Sequence, residues 1–180
     1  MKVDDIYLGN PNLKKANTAV EFTEDQIREF LKCKDDPLYF ANTYVQIVTL
    51  DKGLMPFTPY DFQEKLISNF HENRFNICKM PRQTGKSTTV ISYLLHYLLF
   101  NDSVNIGILA NKASTARELL GRLQTAYENV PKWMQQGVLS WNKGSLELEN
   151  GSKILAASTS ASAVRGMSFN ILFLDEFAFV

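Results

Sequence analysis

Two stretches of this chain, far apart in sequence, carry residue types suited to chemistry on a phosphate ester or anhydride. Residues 80–87 read Met-Pro-Arg-Gln-Thr-Gly-Lys-Ser. Gly85, Lys86 and Ser87 fit the end of the phosphate-binding pattern G-x-x-x-x-G-K-[ST], while Met80 stands where that pattern has its first glycine. In such a loop the backbone N–H groups around Gln83, Thr84 and Gly85, with Thr88 in the opening helical turn, cradle phosphate oxygens. Lys86 would act as a point charge on the β- and γ-phosphates. Ser87 would offer its hydroxyl to magnesium. The second stretch is Ile171-Leu-Phe-Leu-Asp175-Glu176, an apolar run ending in two acids. Asp175 at a strand end suits a magnesium ion held through its water shell, and Glu176 suits the orientation and deprotonation of an attacking water.

Each feature has an ordinary structural reading beside the chemical one. Gly-Lys-Ser can be a surface turn, and Asp-Glu can cap a helix. Arg82, a cation built into the loop, could stabilise charge developing on a γ-phosphate or could be a salt-bridged surface arginine. Gln63 could offer an amide to an adenine edge or could be a solvated glutamine on a helix face. The context favours chemistry for the loop and the acids. A strand before the loop and a helix after it are what the motif requires, and ligands bind at the carboxyl edge of such sheets.

The elements that must position these groups follow from apolar spacing. Residues 1–20 read as a loosely ordered polar arm. Thr23 caps a helix with Gln26 at the capping-box position, and Pro37 stops it or starts a further short helix. Residues 45–57 read as a strand and turn about Asp51-Lys52-Gly53. Thr58 as cap and Pro59 at the first position open a helix whose Phe62, Leu66 and Phe70 share a face. Residues 74–80 form an apolar strand, 86–100 a long apolar helix, 103–110 a buried strand and 112–130 an amphipathic helix. Asn150-Gly151 joins two alternating runs into a hairpin, and residues 171–176 form a further buried strand. Strands alternating with helices predict an α/β fold with a mostly parallel sheet flanked by helices. A small helical N-terminal subdomain over 1–57 precedes the core over 58–180.

Composition bounds the rest. Lys plus Arg and Asp plus Glu are 19 each among 180 residues, so no strongly basic surface is implied by the totals. Cys33 and Cys78 lie in no metal-binding spacing and read as reduced, buried thiols of a cytosolic protein. The longest apolar run, residues 90–100, is about half of a bilayer span, so no membrane segment is expected.

Taken together, Pro81–Ser87, Tyr60-Asp-Phe-Gln63, Trp141–Ile154, Ala163–Asn170 and Ile171–Phe179 resemble the large terminase subunit of tailed bacteriophages, in particular of contractile-tailed phages. The likeness runs from about residue 35 to the end. It implies a P-loop NTPase fold, ATP and Mg2+ as cofactors, and ATP hydrolysis coupled to translocation of double-stranded DNA into the procapsid. On that resemblance Arg82 takes the in-loop arginine finger, Lys86 the phosphate lysine, Ser87 and Asp175 the metal ligands, Glu176 the catalytic glutamate and Gln63 the adenine contact. Arg165, just before the acidic strand, matches an arginine that reaches a neighbouring subunit's site. The implied partners are DNA, the portal protein, the small terminase subunit and further copies in a ring on the portal. The implied location is the host cytoplasm, outside the mature virion. Family chains continue past the acidic strand into a Ser/Thr-rich coupling motif and a nuclease domain, so both are expected to be missing from these 180 residues. A two-lobed helicase and a nucleotide-binding module without hydrolysis share the same motifs; Ala178 stands where many helicases carry His or Asp.

Overall fold

The computed structural model describes residues 5–49, 51–160 and 166–176. The polar arm is more ordered than its composition implies. Strands β1 (Ile6–Tyr7) and β2 (Asn10–Lys14) pair antiparallel, and Leu13 is buried. What composition cannot show is that this arm has a partner: the Lys14 N–H donates to Gln135 Oε1, and Lys14 Nζ lies 3.1 Å from Glu149 Oε1. Burial pushes the Glu149 carboxyl upward, but the N–H groups of Asn17 and Gly137 and the Lys14 ammonium outweigh it and hold the pKa below the usual value.

Helix α1 (Glu24–Asp35) starts on the Thr23–Gln26 capping box, and α2 (Pro37–Tyr44) follows at once, capped by Asp36. A hairpin of β3 (Gln46–Thr49) and β4 (Gly53–Pro56) then leads to α3 (Asp61–Glu72). The cap of α3 is Tyr60, two residues later than Thr58: Gln63 at the third helical position bonds back to the Tyr60 N–H and so sets the start. Helix α4 (Lys86–Phe100) buries most of its length. It packs on α2 and α3 through aromatic contacts such as Phe40–Phe100 (5.4 Å between centroids). His96 of α4 donates from Nε2 to the Cys33 carbonyl at 2.8 Å, and its buried Nδ1 has no hydrogen-bond partner among the described residues. Burial lowers its pKa to about 4.

Beyond α4, strand β5 (Asn105–Ala110) and helix α5 (Ala113–Glu128) precede β6 (Val138–Trp141), β7 (Ser145–Leu148), β8 (Lys153–Ser158) and β9 (Ile171–Leu174). Spatial order is β6-β7-β8-β5-β9. The β8–β5 and β5–β9 pairs are parallel, while β6–β7 and β7–β8 are antiparallel. The sheet is therefore mixed, not mostly parallel. The antiparallel half arises from the hairpin at Asn150-Gly151, where Gly151 has φ 79° and Asn150 Nδ2 donates to the carbonyls of Leu98 and Asn101 at the end of α4. Central β5 is buried along Ile106–Ala110 because α5 covers one face and strands flank both sides.

Two strands expected to be buried differ. Residues 73–80 form no strand among the described residues, and Phe75 is 83% and Ile77 98% exposed. Strand β9 is the sheet's edge, and its Leu172 is 48% exposed. Among the described residues β9 pairs with β5 alone, and the run at 74–80 joins no ladder. Of the two thiols, Cys33 is buried and Cys78 is exposed on this same segment.

Candidate phosphate-binding site

The loop opens α4 in a manner suited to anions. Gln83 (φ 62°) and Gly85 (φ 75°) adopt the left-handed region, and Thr84 Oγ1 donates to the Pro81 carbonyl. The Gly85 carbonyl accepts from both the N–H and the hydroxyl of Thr89, at 3.0 and 3.1 Å. Gly85 itself is the cap, so no side chain occupies the first N–H groups of the 15-residue α4. Those groups and the helix dipole favour an anion there. Lys86, Ser87 and Thr88 form the first turn and are half-buried, whereas Arg82 and Gln83 are exposed. Positive φ favours glycine at 85, and an added Cβ would lie 2.5 Å from Gln63 Nε2, so that side chain would have to shift. The Gln63 amide is engaged at both ends, a relation its sequence position does not reveal.

The acids lie at the carboxyl edge of β9. The Asp175 N–H donates to the Leu109 carbonyl at 2.8 Å, which extends the β5–β9 ladder by one residue and fixes the Asp175 backbone. Asp175 is 7% exposed, and Glu176 (φ 52°) is exposed. Burial raises the Asp175 pKa, the Lys86 charge pulls it back, and Glu176 beside it adds to the rise.

Asp175 and Glu176 line a cleft of about 190 Å³ with Ala110, Asn111, Lys112 and Thr115. The last three were not anticipated as site residues. The available signal was the apolar run at 103–110: the side chains just past a neighbouring parallel strand are delivered to the same edge. The donor set fits magnesium in kind, because a buried carboxylate and a hydroxyl are hard oxygen ligands and Mg2+ keeps several waters. Among the described residues no group of three or more His, Cys, Asp and Glu is clustered as a self-sufficient metal site. Arg165 lies outside the described residues. No described helix is long and apolar enough to cross a membrane.

With this geometry in view, residues 77–180 match the model of the T4-like terminase large subunit, N-terminal region. The chain belongs to that family. It is 24% identical over 132 residues to tripartite terminase subunit 3 of equine herpesvirus 1, in strains Ab4p and V592 alike, a match covering 70% of this chain and 17% of the relative. The large terminase of bacteriophage HK97 has a similar fold, with a TM-score of 0.63 at 19% identity over 78% of this chain and 30% of that one. The chain therefore spans less than a third of the length of these terminase relatives.

Proposed function

We propose that this chain is the ATPase part of a phage large terminase, a P-loop NTPase that couples hydrolysis to translocation of double-stranded DNA into the procapsid. Family membership supports the packaging role. The observation that supports the chemical reading is the opening of α4, where Gly85 is the cap, no side chain takes the first N–H groups, and Lys86 and Ser87 follow at once.

In this reading the free N–H groups of α4 and the Lys86 ammonium bind the triphosphate tail of ATP, with Gln83, Thr84, Gly85 and Thr88 shaping the loop. Ser87 and Asp175 would hold magnesium, which supplies Lewis-acid polarisation of the phosphate oxygens. Glu176, exposed to solvent, orients a water toward the γ-phosphate and accepts its proton. Arg82, also exposed, is placed in the loop to meet negative charge developing on the transferred group. The herpesvirus relative is by name a subunit of a tripartite terminase. By analogy the partners here are a small terminase subunit, the portal protein and other copies in a ring, with Arg165 serving a neighbouring site. The setting is the host cytoplasm.

A second reading, in which the isolated 180 residues bind a triphosphate without turning it over, is favoured by one observation: residues 73–80 are not paired with β9, so no strand ties the loop to the acids. Calorimetric ATP binding and magnesium-dependent phosphate release, measured on wild type, Lys86→Ala and Glu176→Gln, separate the two. Hydrolysis that falls by ~10²–10⁴ in Glu176→Gln while binding persists supports the first reading, because that is the usual worth of a general base. Binding lost in Lys86→Ala, with no Glu176-dependent turnover in wild type, supports the second. Wild-type chain that binds no ATP refutes both.

A further inference from the structure

We propose that residues 10–17 are a detachable strap, seated in a groove of the core that binds an extended peptide in which leucine is followed by lysine. Gln135, Gly137, Val138 and Glu149 build the groove, and the chain's own arm fills it.

Leu13 and Lys14 are 1% and 6% exposed, while Pro11, Asn12 and Lys15 beside them face solvent. The buried Gln135 reads the backbone on both sides of Leu13. Its Oε1 accepts the Lys14 N–H at 3.1 Å, and its Nε2 donates to the Asn12 carbonyl at 3.0 Å. In an extended chain, groups two residues apart point the same way, so this side-chain amide stands where the peptide of a neighbouring strand would. The core holds the amide ready, because the same Nε2 also meets the carbonyls of Tyr127 and Val130. Further along the arm, the Ala16 N–H donates to the Val138 carbonyl, and Lys15 bridges Val138 in the parallel sense at the edge of β6. The approach is close: a Cβ on Gly137 would lie 2.5 Å from the Ala16 Cα, and a backbone atom has no flexible end that could yield. Main-chain bonds of this kind give a strand its grip, and its side chains give it selectivity. Leu13 joins the apolar core. Lys14 Nζ lies 3.1 Å from Glu149 Oε1, and Glu149 also accepts the N–H groups of Gly137 from the core and Asn17 from the arm. An undocked arm would leave Glu149 with the Gly137 N–H and without its cation. Residues 18–23, which lead from the arm to α1, carry no helix or strand, so what holds the arm is the groove.

The test supplies the strap in trans. The full chain carrying Leu13→Asp with Lys14→Glu places acids where the groove takes an apolar group and a cation, which empties it. A labelled peptide of residues 5–19 is titrated by fluorescence anisotropy into this variant and into the wild-type chain, beside the same peptide carrying Lys14→Glu. The variant is expected to melt cooperatively and to bind the wild-type peptide. The Lys14→Glu peptide should bind on the order of a hundredfold more weakly, as when a buried charge pair loses one partner. The wild-type chain should also bind the peptide at least ~100-fold more weakly, because its tethered arm competes at high effective concentration. A cooperative variant that binds no peptide would overturn the proposal, and so would equal binding of the two peptides or equal binding by the two chains. If the variant melts without cooperativity, recovery on addition of the wild-type peptide upholds the strap. Failure to recover would make the arm an inseparable part of the core, and the proposal would fall.

Discussion

Residues 75–80, Phe-Asn-Ile-Cys-Lys-Met, and 105–110, Asn-Ile-Gly-Ile-Leu-Ala, both lie in runs whose sequence predicts a buried strand. Their fates are opposite. The second is β5, paired with β8 on one side and β9 on the other, covered by α5, with Ile106 and Ile108 at 1% and 0% exposure. The first is extended but unpaired among the described residues, with Ile77 at 98% exposure. Neighbours supply much of the difference. A strand is stabilised by cross-strand pairs and by burial of its faces, and only 105–110 has either. The first leads into the loop at Arg82–Ser87, and the second leads to Asn111 and Lys112, which line the cleft. One site component thus stands on a rigid scaffold. The other is held by what flanks it, Gln63 of α3 before the loop and Thr89 of α4 after it.

The largest effect expected from this contrast is in β5. Ile108→Ala removes a fully buried side chain between two strands and a helix, where little can move to fill the space. A loss of about 3 kcal/mol in unfolding free energy is expected by urea titration. A loss under ~1 kcal/mol would mean that β5 is no better packed than the loop segment, and the contrast would fail.

What could be read in advance divides along the same line. Local devices were legible, because each is set by residues within a few positions: the Thr23–Gln26 capping box, the helix starting at Pro37, the Asn150-Gly151 turn and the apolar face of α5 all appear where spacing puts them. Pairing was not legible. Nothing in Ile171–Leu174 says that it is an edge, and nothing in residues 74–80 says that no strand adjoins them, since both facts belong to the sheet as a whole. The arm at 5–15 was misjudged for the same reason, its partners Gln135 and Glu149 lying more than a hundred residues away. At the candidate site, type and spacing single out the loop and the two acids, and the structure sets the loop at the start of α4 and the acids at the end of β9. Thr115 and Lys112 were missed because only the order β5–β9 brings them to Glu176.

The rigidity of the helix that carries Lys86 can be probed through pH. His96 lies two turns and more along α4 from the loop, neutral, bonded to the Cys33 carbonyl and packed near His71, Tyr93 and Asp36. Its pKa falls from 6.5 to about 4 on folding, mainly through burial. Between those values the unfolded chain binds the proton and the folded chain does not, so stability from this group is complete above pH 6.5 and is lost as pH falls toward 4. At pH 5 the loss from this residue is ~2 kcal/mol relative to pH 7. Urea titrations of wild type and His96→Leu at both pH values give the effect as a difference of differences, which cancels the carboxylates common to both. Equal pH dependence in the two proteins would show that water reaches His96, and that the junction of α4 with the N-terminal helices is looser than its packing implies.

The smallest expected effect is the most telling about residues 74–80. Ile77→Ser alters the most exposed large apolar side chain among the described residues, on a segment with no ladder to lose. A surface change of this kind alters stability by less than ~0.5 kcal/mol. The same exchange at Ile108 would bury a hydroxyl in place of a side chain that fills the core. Since Ile77 precedes the loop by only a few residues, its neutrality would mean that the loop's position depends on α3 and α4 and owes little to the stretch leading into it. A loss above ~2 kcal/mol, with melting still cooperative, would instead place Ile77 in a packed sheet, and the unpaired description of 74–80 would have to be given up.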